Sequence, residues 1–151
     1  MRLVLDTNIL LDIVLGRQPH ADAADKLVAL GYLGEFELWI GSSQVSDFVY
    51  VATEGGKAAL AEEARRAMRL LRKSVRVYAT NEADYDAVAA SAWDDLEDAF
   101  VFQTALQVKA DAIITRDRAG FRKSHIKVYD CDELFERLES EEGLRYEMVS
   151  F

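Results

Sequence analysis

Cysteine occurs once, as Cys131, so no internal disulfide can form. Histidine is nearly as scarce, and Cys131 with His20 and His125 makes a poor zinc set. Any bound metal would therefore take carboxylate ligands, which suits hard cations such as Mg2+ or Mn2+. No run approaches the roughly 18–20 continuous apolar residues that span a bilayer. The apolar opening MRLVLDTNILLDIVLG is broken by Asp6 and Asp12, carries little positive charge and is followed by no small-residue cleavage site. It reads as the first core strand and helix of a cytoplasmic protein without a membrane partner. Proline appears once while half of the residues are hydrophobic, which favours a compact body. The 151 residues fit one domain spanning 1–151, with an acidic helix and tail from about 130.

Positive charge is also short, at 18 Lys and Arg against 27 acids. A net −9 argues against a nucleic-acid partner only until it is divided along the chain. Residues 130–151 hold eight acids against two arginines, a net −6, which leaves −3 for the other 129. Eleven of the 18 basic residues fall in two short segments. One runs from Arg65 to Arg76; the other contains Arg116, Arg118, Arg122, Lys123 and Lys127. This polarity leaves RNA open as a substrate.

Apolar runs at Arg2–Leu5, Glu37–Ile40, Arg76–Tyr78, Ala112–Thr115 and Lys127–Tyr129 predict strands. Helical patterns separate them. Thr7 or Asn8 is expected to cap a helix through Leu15, Pro19 to begin one over Ala21–Leu33, and Ser42 or Ser43 to cap one through about Thr53. A long helix is expected over Lys57–Ser74, with Leu60, Ala64, Met68, Leu71 and Val75 on one face. Asn81 should cap the next helix, Leu96–Val108 forms another, and Asp132–Glu139 the last. The alternation implies an α/β fold, a three-layer sandwich around a parallel sheet of about five strands. Such sheets gather functional groups beyond the carboxyl ends of their strands, near a topological switch point.

Four segments bring carboxylates to such places. Asp6 ends the first strand, Asp47 lies in the helix after Ser42, Asp94, Asp95, Glu97 and Asp98 open the Leu96 helix, and Asp117 follows the fourth strand. Each has a plainer reading as a cap or a solvated acid, since a capping Asp contributes about 0.5–2 kcal/mol by itself. Asp6 resists it best, because it follows a buried strand and needs a partner or a cation. As a set, the acids need neutralising. Two carboxylates about 4 Å apart repel by roughly 4 kcal/mol at an effective dielectric of 20. Divalent cations relieve that repulsion and, in phosphodiester cleavage, activate water and stabilise the leaving oxygen.

At these residues the sequence resembles the PIN-domain family, which includes the VapC toxins of bacterial toxin–antitoxin pairs. LVLDTNILLDIVLGRQPH looks like the family's opening, with Asp6 as its first acid. SSQVSDF is similar to the second motif, with Asp47 where most members have Glu. DDLEDAFVFQTALQVKAD resembles the third, with Asp98 as main ligand and Asp95 as an auxiliary acid. AIITRDRAGF looks like the fourth, supplying Asp117 and the hydroxyl of Thr115. The resemblance implies a metal-dependent endoribonuclease that binds one or two Mg2+ or Mn2+ ions. Asp6, Asp98 and Asp117 would hold the metal, and Asp47 would add a ligand or act through water. Asp95, Asn8 and Thr115 would support them through hydrogen bonds. A homodimer and, for a toxin, a cognate antitoxin are the implied protein partners.

Arg116, Arg118, Arg122 and Lys123 adjoin Asp117 and are the candidate phosphate contacts. The stripe Arg65, Arg69, Arg72 and Arg76 fits a solvated helix face at least as well. The tail Gly143–Phe151 alternates apolar and polar residues, as an edge strand, a docking segment or a cover over its own body would. Two rivals stand beside the nuclease. A phosphatase using Asp6 as nucleophile would want a second Asp at position 8, where Asn8 stands. A catalytically silent module of the same fold would bind RNA or protein and cut nothing.

Overall fold

A computed structural model describes residues 1–147. Five strands form one parallel sheet: β1 (Arg2–Leu5), β2 (Glu37–Gly41), β3 (Val75–Tyr78), β4 (Ala112–Ile114) and β5 (Lys127–Tyr129), in the order β3-β2-β1-β4-β5. Register is explicit in the centre, where Leu5 of β1 stands beside Ile114 of β4 and Val4 beside Trp39 of β2. The chain runs outward from β1 through β2 to β3, then returns to lay β4 on the other side of β1. That reversal makes the β1/β4 boundary the switch point.

Alternation along the strands sends side chains to two helical layers. Leu3, Leu5, Leu38, Ile40, Val75 and Ile114 face α1 (Thr7–Leu15), α2 (Ala21–Tyr32), α3 (Ser42–Ala52) and α7 (Cys131–Glu142), where Leu10, Leu27, Phe48 and Leu134 complete the core. Val4 and Ile113 face the opposite way, onto Val101 and Ala105 of α6 (Leu96–Gln107) and onto Phe121. The remaining helices are α4 (Ala61–Leu71) and α5 (Glu82–Ala89). No helix among the described residues is long and apolar enough to cross a membrane.

Several helix starts differ from the expectations. Asp6, not Thr7 or Asn8, caps α1, with its carboxylate accepting from Thr7 N at 2.6 Å. Gly41, rather than Ser42 or Ser43, precedes α3, and its N–H donates to the Gln44 side chain at 2.8 Å. The second helix does begin at Ala21 as expected, with Pro19 in the turn ahead of it that Ala21 N closes to Arg17 O. The long helix is divided: a 3-10 turn over Ala58–Leu60 leads into α4, which ends at Leu71. Val75 leaves the helical face because it pairs with Leu38 in the sheet. In the tail, Tyr146 packs its ring on Phe36 and Phe135, at 5.8 and 6.3 Å between centroids, so this part covers the body. Residues 148–151 of the expected segment lie outside the described residues.

One buried ion pair ties the first helix to the β4 loop. Asp12 of α1 is fully buried, and its carboxylate meets Arg116 Nε at 2.7 Å with no aligned hydrogen bond on either oxygen. Removing the cation would leave a stranded charge, at a cost of several kcal/mol. Arg116→Ala is expected to lower unfolding free energy by about 3 kcal/mol, towards the low end because the guanidinium stays 32% exposed. Denaturant titration reads this, and Asp12→Leu combined with Arg116→Met should recover most of the loss. A drop below about 1 kcal/mol in the single variant would reduce the pair to an ordinary surface bridge.

Candidate metal centre

β1 and β4 deliver their next residues side by side. Asp6 N donates to Ile114 O at 2.9 Å, and Thr115 follows β4 fully buried. Thr115 Oγ1 donates to Asp6 Oδ2 at 2.7 Å, and Asn8 Nδ2 donates to the same oxygen at 2.8 Å and to Thr115 Oγ1 at 3.2 Å. Asp117 N donates to Thr115 Oγ1 at 2.9 Å, and Arg116 N to Asn8 Oδ1 at 3.3 Å. Neutral donors thus fix Asp6, 8% exposed, and the Asp117 loop as one unit. Asn8 acts here as a bridging amide.

α6 supplies the second wall. Asp95 caps it, accepting from Glu97 N at 2.8 Å and Asp98 N at 3.2 Å. Glu97 and Asp98 occupy its first turn, where the positive end of the helix dipole favours ionised acids. α3 brings Asp47 to face Glu97. A cavity of about 70 Å3 lies between Asp6, Gln44, Asp47, Glu97 and Asp98, with room for an ion and a few waters but none for a nucleotide. Gln44 holds this wall: its Nε2 donates to Leu5 O at 2.8 Å and to Thr7 Oγ1 at 3.3 Å, so one buried amide joins the end of β1 to α3.

The electrostatics follow from crowding. Burial, then Asp6, Asp95, Asp117 and Glu97, push the Asp98 carboxyl up to about 7. Burial also raises Asp6, against the lowering hydrogen bonds of Thr115 and Thr7, with Asp117 and Asp95 adding to the rise. Glu97 is raised by Asp47 first, then by burial and by Asp95 and Asp6. The dipole contributes roughly 0.3–1 kcal/mol per acid, too little to overcome several like charges in a half-buried place.

Gly120 decides how closely two of the acids stand. A Cβ there would lie 2.4 Å from Asp98 Oδ2 and 2.9 Å from Asp117 Oδ2, and Gly120 N donates to Asp117 Oδ1 at 3.1 Å. This cradle of oxygens, the absence among the described residues of a basic group hydrogen-bonded to Asp6, Asp98 or Asp117, and the all-carboxylate donor set fit Mg2+ or Mn2+. Among the described residues no three acids, imidazoles or thiols yet stand close enough to hold one ion together. The carboxylates converge on the cavity and on Gly120, with mutual repulsion opposing further approach.

The candidate phosphate contacts are each paired within the chain. Arg116 meets Asp12, Arg118 meets Glu133, and Arg122 and Lys123 meet Asp94 at 2.9 and 3.0 Å. In the other segment Arg65 and Arg69 bridge to Glu62 on their own helix. Sequence reasoning left Glu97, Gln44 and Gly120 without a role. Glu97 had a signal, since it adjoins Asp98 in the third acidic segment. Gly120, three residues past Asp117, reads from sequence only as a loop glycine, and Gln44 as one polar residue in an amphipathic helix.

Two outcomes test this geometry. Asp98 binds its proton far more tightly folded than at the ordinary 3.8, so its contribution to stability is full below pH 4 and disappears as pH rises through about 7. In EDTA the protein should melt higher at pH 5.5 than at pH 8, and Asp98→Asn should flatten that slope and melt above the wild type at pH 8. Mn2+ affinity should rise across the same interval as the proton leaves. Gly120→Ala is expected to keep the fold yet weaken Mn2+ binding at least about tenfold by calorimetry, the penalty for displaced ligands and their support. Unchanged affinity in this variant would remove Gly120 from the centre.

Comparison with known proteins agrees with this architecture. A family model described as PIN domain matches residues 2–119. No curated protein matches the chain. Among solved structures, VapBC2 from Rickettsia felis bound to a DNA fragment from its promoter aligns with a TM-score of 0.66 at 13% identity, covering 86% of this chain and 98% of that one. VapBC-1 from nontypeable Haemophilus influenzae aligns with a TM-score of 0.63 at 21% identity, covering 87% and 99%. A toxin–antitoxin complex from Klebsiella pneumoniae aligns at 0.63 and 19%, covering 85% and 97%. At these identities the structures speak for the fold, and the family model spans most of the sequence. With its sheet order, its acids at the β1/β4 switch point and that match, the chain belongs to the PIN-domain family.

Proposed function

We propose that this protein is a metal-dependent endoribonuclease, acting as the toxin of a VapBC-type pair in the cytoplasm. The observation that carries the reading is the convergence of three separate segments, with Asp6 and Asp98 lining one cavity and Asp98 and Asp117 closing on one glycine. A stability-driven fold has little reason to crowd unpaired acids at the ends of its central strands.

Bound Mg2+ or Mn2+ would supply an activated water and charge stabilisation at the leaving oxygen. The residues of the chain do the rest. Thr115, Asn8 and Thr7 N fix the Asp6 carboxylate so that it needs no reorganisation on binding. Asp98, its carboxyl pushed up to about 7, gives up a proton near neutral pH and would then be free to hold the ion. Asp117 is aimed by the Thr115 hydroxyl and Gly120 N–H, while Asp47 and Glu97 supply further negative charge from the opposite wall. Asp95 keeps the start of α6 in place. The relative solved as a toxin–antitoxin complex supports an antitoxin protein as a partner, and a second copy of the chain is the other partner proposed.

Cleavage of a labelled RNA panel in Mg2+, Mn2+ or EDTA tests the reading. Wild type should cut only with metal, and Asp6→Asn and Asp98→Asn should each lose at least about a hundredfold, the scale of lost electrostatic stabilisation. Asn retains the capping ability of Asp, so Asp6→Asn should still fold. Mn2+ binding without cleavage of any RNA would favour a silent RNA- or protein-binding module instead.

A further inference from the structure

A second cavity, of about 180 Å3, opens beside the carboxylates between Trp93, Asp94, Asp95, Gly120, Arg122 and Lys123. It shares Asp95 and Gly120 with the candidate metal centre, so the two sites adjoin. Its aromatic wall is set in advance. Trp93 packs at 4.9 Å against Phe102, tilted by 33°, and edge-on against Phe121 at 5.8 Å. An indole fixed by two rings loses little freedom when a planar partner stacks on it.

The charges around this cavity are unevenly matched. Arg122 Nη2 and Lys123 Nζ both converge on a single oxygen, Asp94 Oδ2, so two cations share one carboxylate. The Asp94 and Arg122 side chains are 71% and 70% exposed. Bridges as exposed as these contribute about 0–1 kcal/mol and exchange readily. An incoming phosphate offers anionic oxygens that a guanidinium can hold bidentately, as it can a carboxylate. An aromatic wall beside paired cations is the chemistry that binds single-stranded nucleic acid, by stacking a base and tracking its phosphate.

We propose that this cavity is a subsite for one unpaired RNA base next to the cleaved phosphate. Trp93 is its stacking surface, and Asp94 occupies Arg122 and Lys123 until a backbone phosphate displaces it. The subsite selects single-stranded over duplex RNA, because a paired base cannot leave its stack to enter. The proposal rests on the ribonuclease reading for its place beside the cut, but binding here needs neither metal nor turnover.

The test uses the full chain with Trp39→Phe, which leaves Trp93 as the one remaining tryptophan of the two. A mixed-sequence eight-nucleotide single-stranded RNA is titrated in EDTA at low salt. Saturable quenching of Trp93 emission is expected, with none from a blunt duplex of the same strand. Asp94→Asn should tighten binding several-fold by freeing the two cations. Arg122→Ala should weaken it and lower the slope of log affinity against log salt by about 0.7, one phosphate contact. Trp93→Leu should cost at least about fivefold; the Asp94 and Arg122 variants, both on exposed side chains, stand independently of its effect on packing. Quenching and the salt effect without any cleavage would uphold the subsite and sink the nuclease reading. Cleavage by wild type with unmoved Trp93 emission, and with Asp94→Asn and Arg122→Ala binding as wild type, would overturn the subsite alone.

Discussion

Like charges that the fold holds together govern most of what is unusual in this protein. Asp6, Asp98 and Asp117 come from the end of β1, α6 and the loop after β4, and among the described residues none is paired with a lysine or arginine. The neighbours that restrain them are a hydroxyl, amides and backbone N–H groups, which orient a carboxylate without cancelling its charge. The apolar sheet beneath, with Leu3, Val4, Leu5, Ile113 and Ile114 out of water, supplies the stability against which this repulsion is sustained. Asp98 answers with a proton, and a cation would answer in another way.

The cations of the region are kept just outside that cluster, held by three other acids, one of which serves two of them. Arg116 turns away to Asp12, Arg118 to Glu133 and the Arg122–Lys123 pair to Asp94. Depth separates their roles. The Asp12 pair is enclosed and locks α1 to the β4 loop, whereas the Asp94 pair lies in solvent and is free to exchange. A net charge of −9 thus coexists with a basic rim, and part of the acidic excess of α7 serves as a partner for that rim through Glu133.

The central strands and the acids at their ends were legible because burial leaves a mark on composition. A run such as Leu3-Val4-Leu5 stopping at Asp6 has few readings in a parallel sheet. The third acidic segment was equally plain, as was Asn81 as a cap. What escaped depends on tertiary approach. Glu97 lines the same cavity as its neighbour Asp98, and only the placement of α3 sets Asp47 against it. Gly120 matters because two distant carboxylates close on it. The α4 pattern continued through Val75 on paper, but pairing with Leu38 outcompeted one more helical turn. Asp6 was read as a ligand while Thr7 or Asn8 was given the cap; one side chain fills the cap and faces the cavity.

Gln44 gives the site a property its acids cannot have. Its amide joins Leu5 O, Thr7 Oγ1 and Gly41 N, and it carries no ionisable proton. The frame around the carboxylates is therefore indifferent to acidity, while Asp98, pushed up to about 7, changes its protonation across the neutral range. The molecule separates what must stay still from what must titrate, much as an electrode keeps a rigid support apart from its responsive surface.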